Sequence, residues 1–296
     1  MRVRSTASAT IPVLVCTLAI FLLSAMDAGM KSLVLAAGVY NIVLWRSLLA
    51  TIASAVGWAV KSRVRPDKRA MRLHALRAAI IGIVLVTFFW GLARLPLAEA
   101  IGLSFIAPLF ALFLAALLLG ERIRAQAAWA AVLGFAGVAV IVAGQFGGAA
   151  YSPDTLPGTL SILVSAVFYG FNLVLTRKQA QIAKPIDIMF FQNLCLLIIM
   201  SLASPWLASL LPRDCWLPLV GVTALSLTGQ YLMSWSYARA EAQYLISTEY
   251  TAFIWAIALG WFFFGETVSW QTLAGAGLII ASCWIAARAG LRPAQG

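Results

Sequence analysis

The sequence predicts an all-α polytopic membrane protein with ten transmembrane helices, built as two inverted five-helix repeats. Three observations lead to this prediction. Hydrophobic residues make up 62% of the 296 residues and charged residues only 10%, and the mean hydropathy is +0.94. Ten apolar runs are long enough to cross a bilayer. The second half of the chain also matches the first half when the sequence is aligned with itself.

The composition excludes an ordinary soluble domain, which carries about 25% charged and 45–50% apolar residues. A net charge of +11 would indicate nucleic-acid binding in a soluble protein. Here the basic residues lie in short segments between apolar runs, so they indicate membrane topology, and no nucleic-acid partner is expected.

A helix needs about 20 apolar residues to cross the hydrocarbon core. The first run follows a basic segment and would also fit a signal peptide, but it continues through Ala28, which favours a retained span. The predicted spans are 11–30, 38–60, 76–94, 97–119, 127–146, 157–177, 186–208, 217–238, 242–264 and 269–287.

The basic residues fix the predicted orientation. With the amino terminus in the cytoplasm, 17 of the 21 Lys and Arg residues fall on the cytoplasmic side, three fall outside, and Arg46 lies within a span. Such a bias predicts a multi-pass inner-membrane protein with both termini in the cytoplasm.

An internal repeat appears when the chain is shifted by 145 residues. Between residues 90 and 144 the alignment has no gap and gives 13 identities in 55 pairs. The most informative matches are Trp90 with Trp235, Ala93-Arg94 with Ala238-Arg239, Gly120-Glu121 with Gly265-Glu266, and Gln126 with Gln271.

The predicted repeats span residues 11–146 and 157–288, each with five helices. An odd number of spans places the second copy upside down relative to the first. Inverted repeats with a binding site at their interface are typical of secondary transporters, which use alternating access. The alternative is a duplicated structural bundle that transports nothing.

Two segments resemble a known family. LARLPLAEAIGLSFIAPLFALFLAALLLGERI (92–123) and YARAEAQYLISTEYTAFIWAIALGWFFFGET (237–267) resemble the two copies of the fourth-helix region of EamA-type proteins in the drug/metabolite transporter superfamily, and LWRSLLA (44–50) also fits. The resemblance implies a ten-helix inner-membrane carrier. Family members carry amino acids, vitamins, nucleotide-like cofactors, nucleotide-conjugated sugars or opine-like metallophores.

Asp27 and Arg46 are the first candidates for substrate binding or coupling. They lie roughly 24 Å and 21 Å from the cytoplasmic ends of spans one and two, at 1.5 Å per helical residue. Two interpretations stay open. The pair forms a closed ion pair, or Arg46 holds a substrate carboxylate or phosphate. Lys31, one turn above Asp27, is an alternative partner for that carboxylate.

Glu249 is the third candidate, because it lies within span nine and no basic residue shares that span. A buried carboxylate of this kind exchanges a proton or binds a substrate amine; the alternative is a protonated acid hydrogen-bonded to a neighbouring helix. Glu99, Glu121 and Glu266 lie at helix ends and are interpreted as structural.

Aromatic and polar side chains are expected to line a central cavity, although plain packing would explain them too. The predicted wall consists of Trp45, Trp90, Gln230, Tyr231, Trp235 and Tyr250. Pro108 interrupts span four and is the predicted hinge. Small residues such as Ala130 and Gly134 predict close helix packing, within one chain or between two copies.

Several chemistries have no motif here. There is no P-loop, HExxH or GxSxG sequence, so ATP hydrolysis and enzymatic activity are not expected. One histidine, His74, and four scattered cysteines predict neither a metal site nor a disulfide framework. No cofactor is expected.

The sequence therefore predicts a carrier for a small organic solute in the lipid bilayer, with protons as the candidate coupling ion. The resemblance favours export of an amino-acid-like compound. The alternatives are an uptake carrier for a vitamin or nucleotide-like cofactor, and a non-transporting subunit or lipid scramblase. Both a monomer and a homodimer fit the sequence.

Overall fold

The computed structural model describes residues 10–62, 65–119, 125–146, 153–180, 182–237, 239 and 248–291. Within these ranges the regular structure is entirely helical. The first half contains α1 (Thr10–Ala37), α2 (Val39–Lys61), α3 (Lys68–Leu92), α4 (Leu97–Ser104), α5 (Ala107–Leu119) and α6 (Ala125–Phe146). The second half contains α7 (Thr155–Ala180), α8 (Pro185–Ser201), α9 (Ser204–Leu207), α10 (Arg213–Tyr237), α11 (Thr251–Phe264) and α12 (Trp270–Leu291).

Local sequence signals explain several helix ends. Gly38 joins α1 to α2 at a φ of 77°, a left-handed conformation that glycine adopts without strain. The Asp67 side chain caps α3 by accepting a 2.7 Å hydrogen bond from the Ala70 amide. Gly265 ends α11 at a φ of 63°. The chain therefore reverses direction with very short connections.

Four described helices are long and apolar enough to cross a membrane: residues 11–37, 39–61, 68–92 and 155–176. Five further apolar helices of 10–17 residues are shorter than a full span. Large apolar side chains are exposed on the outer surface, among them Leu217, Trp206 and Phe262, as expected where lipid replaces water. The structure thus confirms a helical protein with several apolar helices, and the count of ten spans remains a prediction.

Two predicted spans are each interrupted in the structure. Residues 186–208 form α8, which ends at Ser201, and the short α9. Residues 97–119 form α4, which ends at Ser104, and α5, which begins at Ala107, one residue before Pro108. Proline lacks an amide hydrogen and clashes with the preceding turn, so it cannot continue α4. Predicted span nine begins in residues 240–247, which lie outside the described part of the chain.

The helices pack as pairs that join the two halves of the chain. The most extensive contacts are those of α1 with α10, α3 with α7, α2 with α8 and α6 with α12. One hydrophobic core runs through both halves and includes Ile42, Phe89, Leu103, Ile141, Ile162 and Leu219.

Glycines allow α6 and α12 to approach closely. A Cβ at Gly137 would lie 2.6 Å from the Gly275 carbonyl oxygen, and a Cβ at Gly134 would lie 2.9 Å from the Ser282 hydroxyl oxygen. Small residues at such crossings let two backbones touch. The sequence left open whether this face packs within one chain or between two copies. The structure shows it packed within a single chain.

Candidate functional site

Arg46 of α2 is the centre of the candidate site. Its side chain is only 8% exposed, and its Nη1 donates a 3.3 Å hydrogen bond to the Ser226 hydroxyl of α10. Gln230, one turn further along α10, donates to the same hydroxyl at 2.9 Å. The Arg46 Nε is buried and has no hydrogen-bond partner. One edge of the guanidinium therefore retains hydrogen-bonding capacity.

Asp27 of α1 lies within electrostatic range of Arg46 and forms no ion pair with it. The two charges interact electrostatically, yet no ion pair within 4.0 Å joins them in the described part of the chain. The closed ion pair, one of the two interpretations of the sequence, is therefore not formed in this structure.

Tyr169 of α7 connects the predicted candidates, although the sequence gave no reason to select it among the aromatic residues. Its hydroxyl is within electrostatic range of Asp27, Glu249 and Arg77, and its side chain is 41% exposed. Only the packed structure reveals this position, because the four residues come from different parts of the chain. Asp27, Arg77 and Glu249 thus all interact electrostatically with Tyr169.

Glu249 and Tyr250 lie immediately before α11. Thr248, beside Glu249, donates a 3.2 Å hydrogen bond to the Cys16 sulfur of α1. The Tyr250 ring packs edge to face against Phe105, with 5.6 Å between ring centroids. These contacts hold the segment against α1 and against the break between α4 and α5.

The predicted wall residues fall into two groups. Gln230 lies at the Arg46 site, and Tyr231 beside it on α10 is exposed. Trp45, by contrast, donates its indole hydrogen to the Ser209 carbonyl oxygen at 3.0 Å and packs against Trp216. It therefore joins α2 to the segment before α10 and to the first turn of α10.

Trp90 and Trp235 each carry an arginine one turn further along the helix. The Arg94 guanidinium lies 3.5 Å from the Trp90 ring centroid, and that of Arg239 lies 4.1 Å from the Trp235 centroid. Each arginine also donates to the carbonyl oxygen of its tryptophan, at 3.0 Å and 3.2 Å. These tryptophans therefore have local partners at the ends of α3 and α10.

Lys31, the alternative partner that the sequence offered for Asp27, pairs elsewhere in the structure. Its ammonium forms a 2.5 Å ion pair with Glu266 and a 2.6 Å hydrogen bond to the Leu95 carbonyl oxygen. Glu266 also accepts a 2.6 Å hydrogen bond from the Leu97 amide. Lys31 is thus engaged by the segment between α3 and α4 and by the segment after α11, and Arg46 is the cation that interacts electrostatically with Asp27.

Glu99 has neutral partners at the same end of the bundle. It accepts hydrogen bonds from Gln145 at 3.1 Å and from Thr272 at 3.3 Å. This arrangement agrees with its interpretation as a structural residue. Glu121, which the sequence analysis also interpreted as structural, lies outside the described residues.

A comparison with sequence models of protein families finds the EamA-like transporter family twice, at residues 10–143 and 156–288. The chain belongs to the EamA-like transporter family. Together the two matches cover most of the chain, and the apolar helices agree with a membrane transporter. The resemblance inferred from residues 92–123 and 237–267 is thereby confirmed.

Named relatives include exporters, riboflavin transporters and an S-adenosylmethionine uptake transporter of Rickettsia bellii. This EamA-like chain is 27% identical to the pseudopaline exporter of Pseudomonas aeruginosa (strain UCBPP-PA14) over 273 residues, which cover 92% of this chain and 94% of the relative. It is 26% identical to the riboflavin transporter of Brucella anthropi over 255 residues, covering 81% and 85% of the two chains.

One solved crystal structure has the same fold as this chain. The two structures superpose with a TM-score of 0.61, at 23% sequence identity, over 97% of this chain and 100% of the other. This likeness establishes the fold and leaves the substrate to be argued from the site.

Proposed function

We propose that this chain is a secondary transporter that exports a small amino-acid-like compound, opine-like metallophores included, by alternating access. The observation that carries the proposal is the Asp27–Arg46 relationship: two opposite charges on neighbouring helices interact electrostatically and form no ion pair. A solute with both a carboxylate and an ammonium group satisfies both charges at once. Its carboxylate binds the free edge of Arg46, and its ammonium binds Asp27.

Glu249 and Tyr169 extend this binding region. The two side chains lie within electrostatic range of each other, and Tyr169 is also within electrostatic range of Asp27. We assign Glu249 the role of a second acidic group, which binds a further amine of the substrate or takes up a proton during the cycle. Gln230 and Ser226 orient Arg46 from α10.

The alternating-access mechanism rests on two inverted five-helix repeats, residues 11–146 and 157–288. Matching local contacts in the two halves support this organisation. The stacked pairs Trp90–Arg94 and Trp235–Arg239 keep the same spacing and the same two contacts.

The helix packing supports the same organisation. If the two halves are related by a two-fold axis, α7 is the counterpart of α1 and α3 is the counterpart of α10. The observed pairs are α1 with α10 and α7 with α3, as such an axis requires, and the counterparts α2 and α8 pack on each other, as do α6 and α12. Each half can then rock against the other about the site between them.

The break between α4 and α5 supplies a place for this movement. We assign Pro108 the role of a hinge, because residues 105 and 106 already leave the helix in this structure. Exported and imported solutes would use the same movement. We propose the inner membrane as the location, with both termini in the cytoplasm, protons as the coupling ion, and a monomer or homodimer as the assembly.

Untargeted metabolite profiling of cells and medium tests this proposal. Cells expressing the wild-type chain are compared with cells expressing an Arg46→Ala, Glu249→Gln double variant, and an Arg213→Ala variant serves as the control because Arg213 is exposed at the start of α10. We expect a compound with a carboxylate and an amine to accumulate in the medium only with the wild-type and control chains. Equal profiles for all three chains would contradict the proposal.

The riboflavin transporter relative supports a second candidate, uptake of a vitamin or nucleotide-like cofactor. The same profiling separates the two, because uptake raises the compound inside cells. A non-transporting subunit or a lipid scramblase is the alternative from another class. A scramblase would move fluorescent lipid between the leaflets of otherwise empty liposomes, whereas the proposed carrier leaves that lipid in place.

A further inference from the structure

We propose that the Lys31–Glu266 ion pair holds this transporter closed towards the periplasm, and that it breaks before a solute leaves on that side. We call this ion pair the periplasmic gate. The inference rests on the alternating-access mechanism and the orientation of the proposed function, and it adds a named contact that closes one end. The gate joins the two halves of the chain, because Lys31 lies on α1 and Glu266 follows α11.

The gate connects three segments at one end of the bundle. Lys31 donates hydrogen bonds to Glu266 Oε1 at 2.5 Å and to the Leu95 carbonyl oxygen at 2.6 Å. The other carboxylate oxygen of Glu266 accepts a 2.6 Å hydrogen bond from the Leu97 amide. The last turns of α1, the connection from α3 to α4 and the segment after α11 are thereby held together. In the proposed orientation all three lie on the periplasmic side.

The gate is shielded from water and is nevertheless able to open. The Lys31 and Glu266 side chains are only 6% and 15% exposed, and the Phe264 ring centroid lies 5.0 Å from the Lys31 ammonium nitrogen. In a buried ion pair the loss of hydration offsets much of the attraction between the charges. When the segments separate, both charges regain hydration, so the pair breaks at little net cost. Rearrangement of interfacial salt bridges is one way in which proteins switch between two packed states.

The backbone presents Glu266 to Lys31. Gly265 has a φ of 63°, its amide donates to the Trp261 carbonyl oxygen at 3.0 Å, and the Glu266 amide donates to the Gly260 carbonyl oxygen at 3.1 Å. These bonds form a glycine cap that turns the chain back over the last turn of α11. A Cβ at Gly260 would lie 2.6 Å from Glu266 Oε2, so the carboxylate rests on that turn. Glu266 is therefore held by α11, and the flexible side chain of Lys31 is the part that engages and releases.

The second copy of the repeat does not reproduce the cation of the gate. SAMDAG (24–29) resembles SAVFYG (165–170), and extending this match by two residues places Asn172 at the position of Lys31. A neutral amide forms no ion pair with a carboxylate. Within the described ranges, the structure contains one ion pair, and it is the gate. We therefore expect the protein without solute to rest closed towards the periplasm, ready to load from the cytoplasm, as an exporter requires.

Hydrogen–deuterium exchange of the purified full-length chain in lipid nanodiscs, without any solute, tests the gate. Mass spectrometry follows two segments: the connection from α3 to α4 at residues 93–97, and the cytoplasmic end of α10 at residues 232–237. Glu266→Gln removes the negative charge of the gate. The Lys31→Met, Glu266→Leu double variant removes both charges.

Glu99→Gln is the matched control. Glu99 lies at the same end of the bundle, and its side chain accepts hydrogen bonds from Gln145 and Thr272. A glutamine oxygen accepts the same bonds, so the control removes a carboxylate while the gate stays intact. We expect this variant to exchange like the wild-type chain in both segments.

In both gate variants we expect amide exchange at residues 93–97 to become about tenfold faster, because the segment opens more often. We expect exchange at residues 232–237 to become slower, because the cytoplasmic end closes when the periplasmic end opens. The double variant is expected to show both changes even though it recovers more than half of the stability that Glu266→Gln loses. Gating and stability are separated in this way.

Faster exchange at residues 93–97 without slower exchange at residues 232–237 would indicate local loosening and would overturn the proposal. Wild-type exchange in the double variant would overturn it too, because the ion pair would then only support packing. The two proposals fail separately. Opposite exchange changes without export of a zwitterionic compound would refute the proposed substrate alone. Export together with unchanged exchange in the gate variants would refute the gate alone.

Discussion

Phe105 and Tyr250 pack edge to face at the centre of the molecule, with 5.6 Å between their ring centroids. They lie 145 residues apart, which is the spacing of the internal repeat, so the two residues occupy equivalent positions in the two halves. Both have nearly the same backbone conformation, with φ and ψ of −63° and −9° at Phe105 and of −69° and −15° at Tyr250. Equivalent residues touch each other only near a symmetry axis, and this contact therefore marks the axis of the proposed inverted repeat.

The first prediction concerns the guanidinium of Arg46. Arg46→Lys keeps the charge but removes the planar pair of donors, so we expect the transport rate of the exported compound to fall about tenfold. Arg213→Lys, an exchange at an exposed site, is expected to leave the rate unchanged. The measurement is the initial rate of export from preloaded cells. Equal rates for Arg46→Lys and the wild-type chain would show that the guanidinium does not bind the substrate.

The second prediction concerns the Lys31–Glu266 ion pair. Glu266→Gln leaves a buried ammonium without its counter-ion, which is expected to lower the free energy of unfolding by about 3–5 kcal/mol. Thermal unfolding in detergent measures the loss. The Lys31→Met, Glu266→Leu double variant removes both charges and is expected to recover more than half of it. A double variant as unstable as the single one would refute this explanation.

The third prediction concerns the glycines between α6 and α12. Gly275→Ala places a Cβ 2.5 Å from the Ile141 side chain and 2.6 Å from the Gly137 carbonyl oxygen, so the helices must move apart. We expect a loss of about 1–3 kcal/mol in unfolding free energy. Gly277→Ala is the matched control, because no atom lies within 4 Å of its added Cβ. Similar unfolding temperatures for the two variants would contradict the observed packing.

The fourth prediction concerns topology. A reporter fused after residue 150 is expected to be active in the periplasm, because five spans precede it. A reporter fused after residue 292 is expected to be active in the cytoplasm. Paired phosphatase and fluorescent-protein fusions measure both sites. Activity of both fusions on one side of the membrane would exclude the inverted arrangement.

Sequence reasoning predicted local features well because they depend on composition and neighbours. Long apolar runs become helices, and Pro108 coincides with a break because its missing amide hydrogen acts locally. The internal repeat was also visible, since Trp90 and Arg94 recur at Trp235 and Arg239 with the spacing of one helical turn.

The partners within the site could not be predicted from the sequence. Lys31 and Glu266 are 235 residues apart, and Arg46 and Ser226 are 180 residues apart. Helix rotation and relative depth decide which side chains meet, and a periodic apolar pattern leaves both undetermined in a membrane, where most helix faces are apolar. Lys31 was therefore placed beside Asp27 as an alternative, and Tyr169 went unselected among many aromatic residues.

The central claim is that Arg46 and Asp27 together bind a zwitterionic solute that this chain carries across the membrane. Liposomes containing the purified protein and preloaded with a mixture of amino-acid-like compounds test it most directly. We expect release of zwitterionic compounds with the wild-type chain, and little release with Arg46→Ala or Asp27→Asn. Equal release of these compounds by wild-type and variant chains would show that Arg46 and Asp27 do not bind the solute.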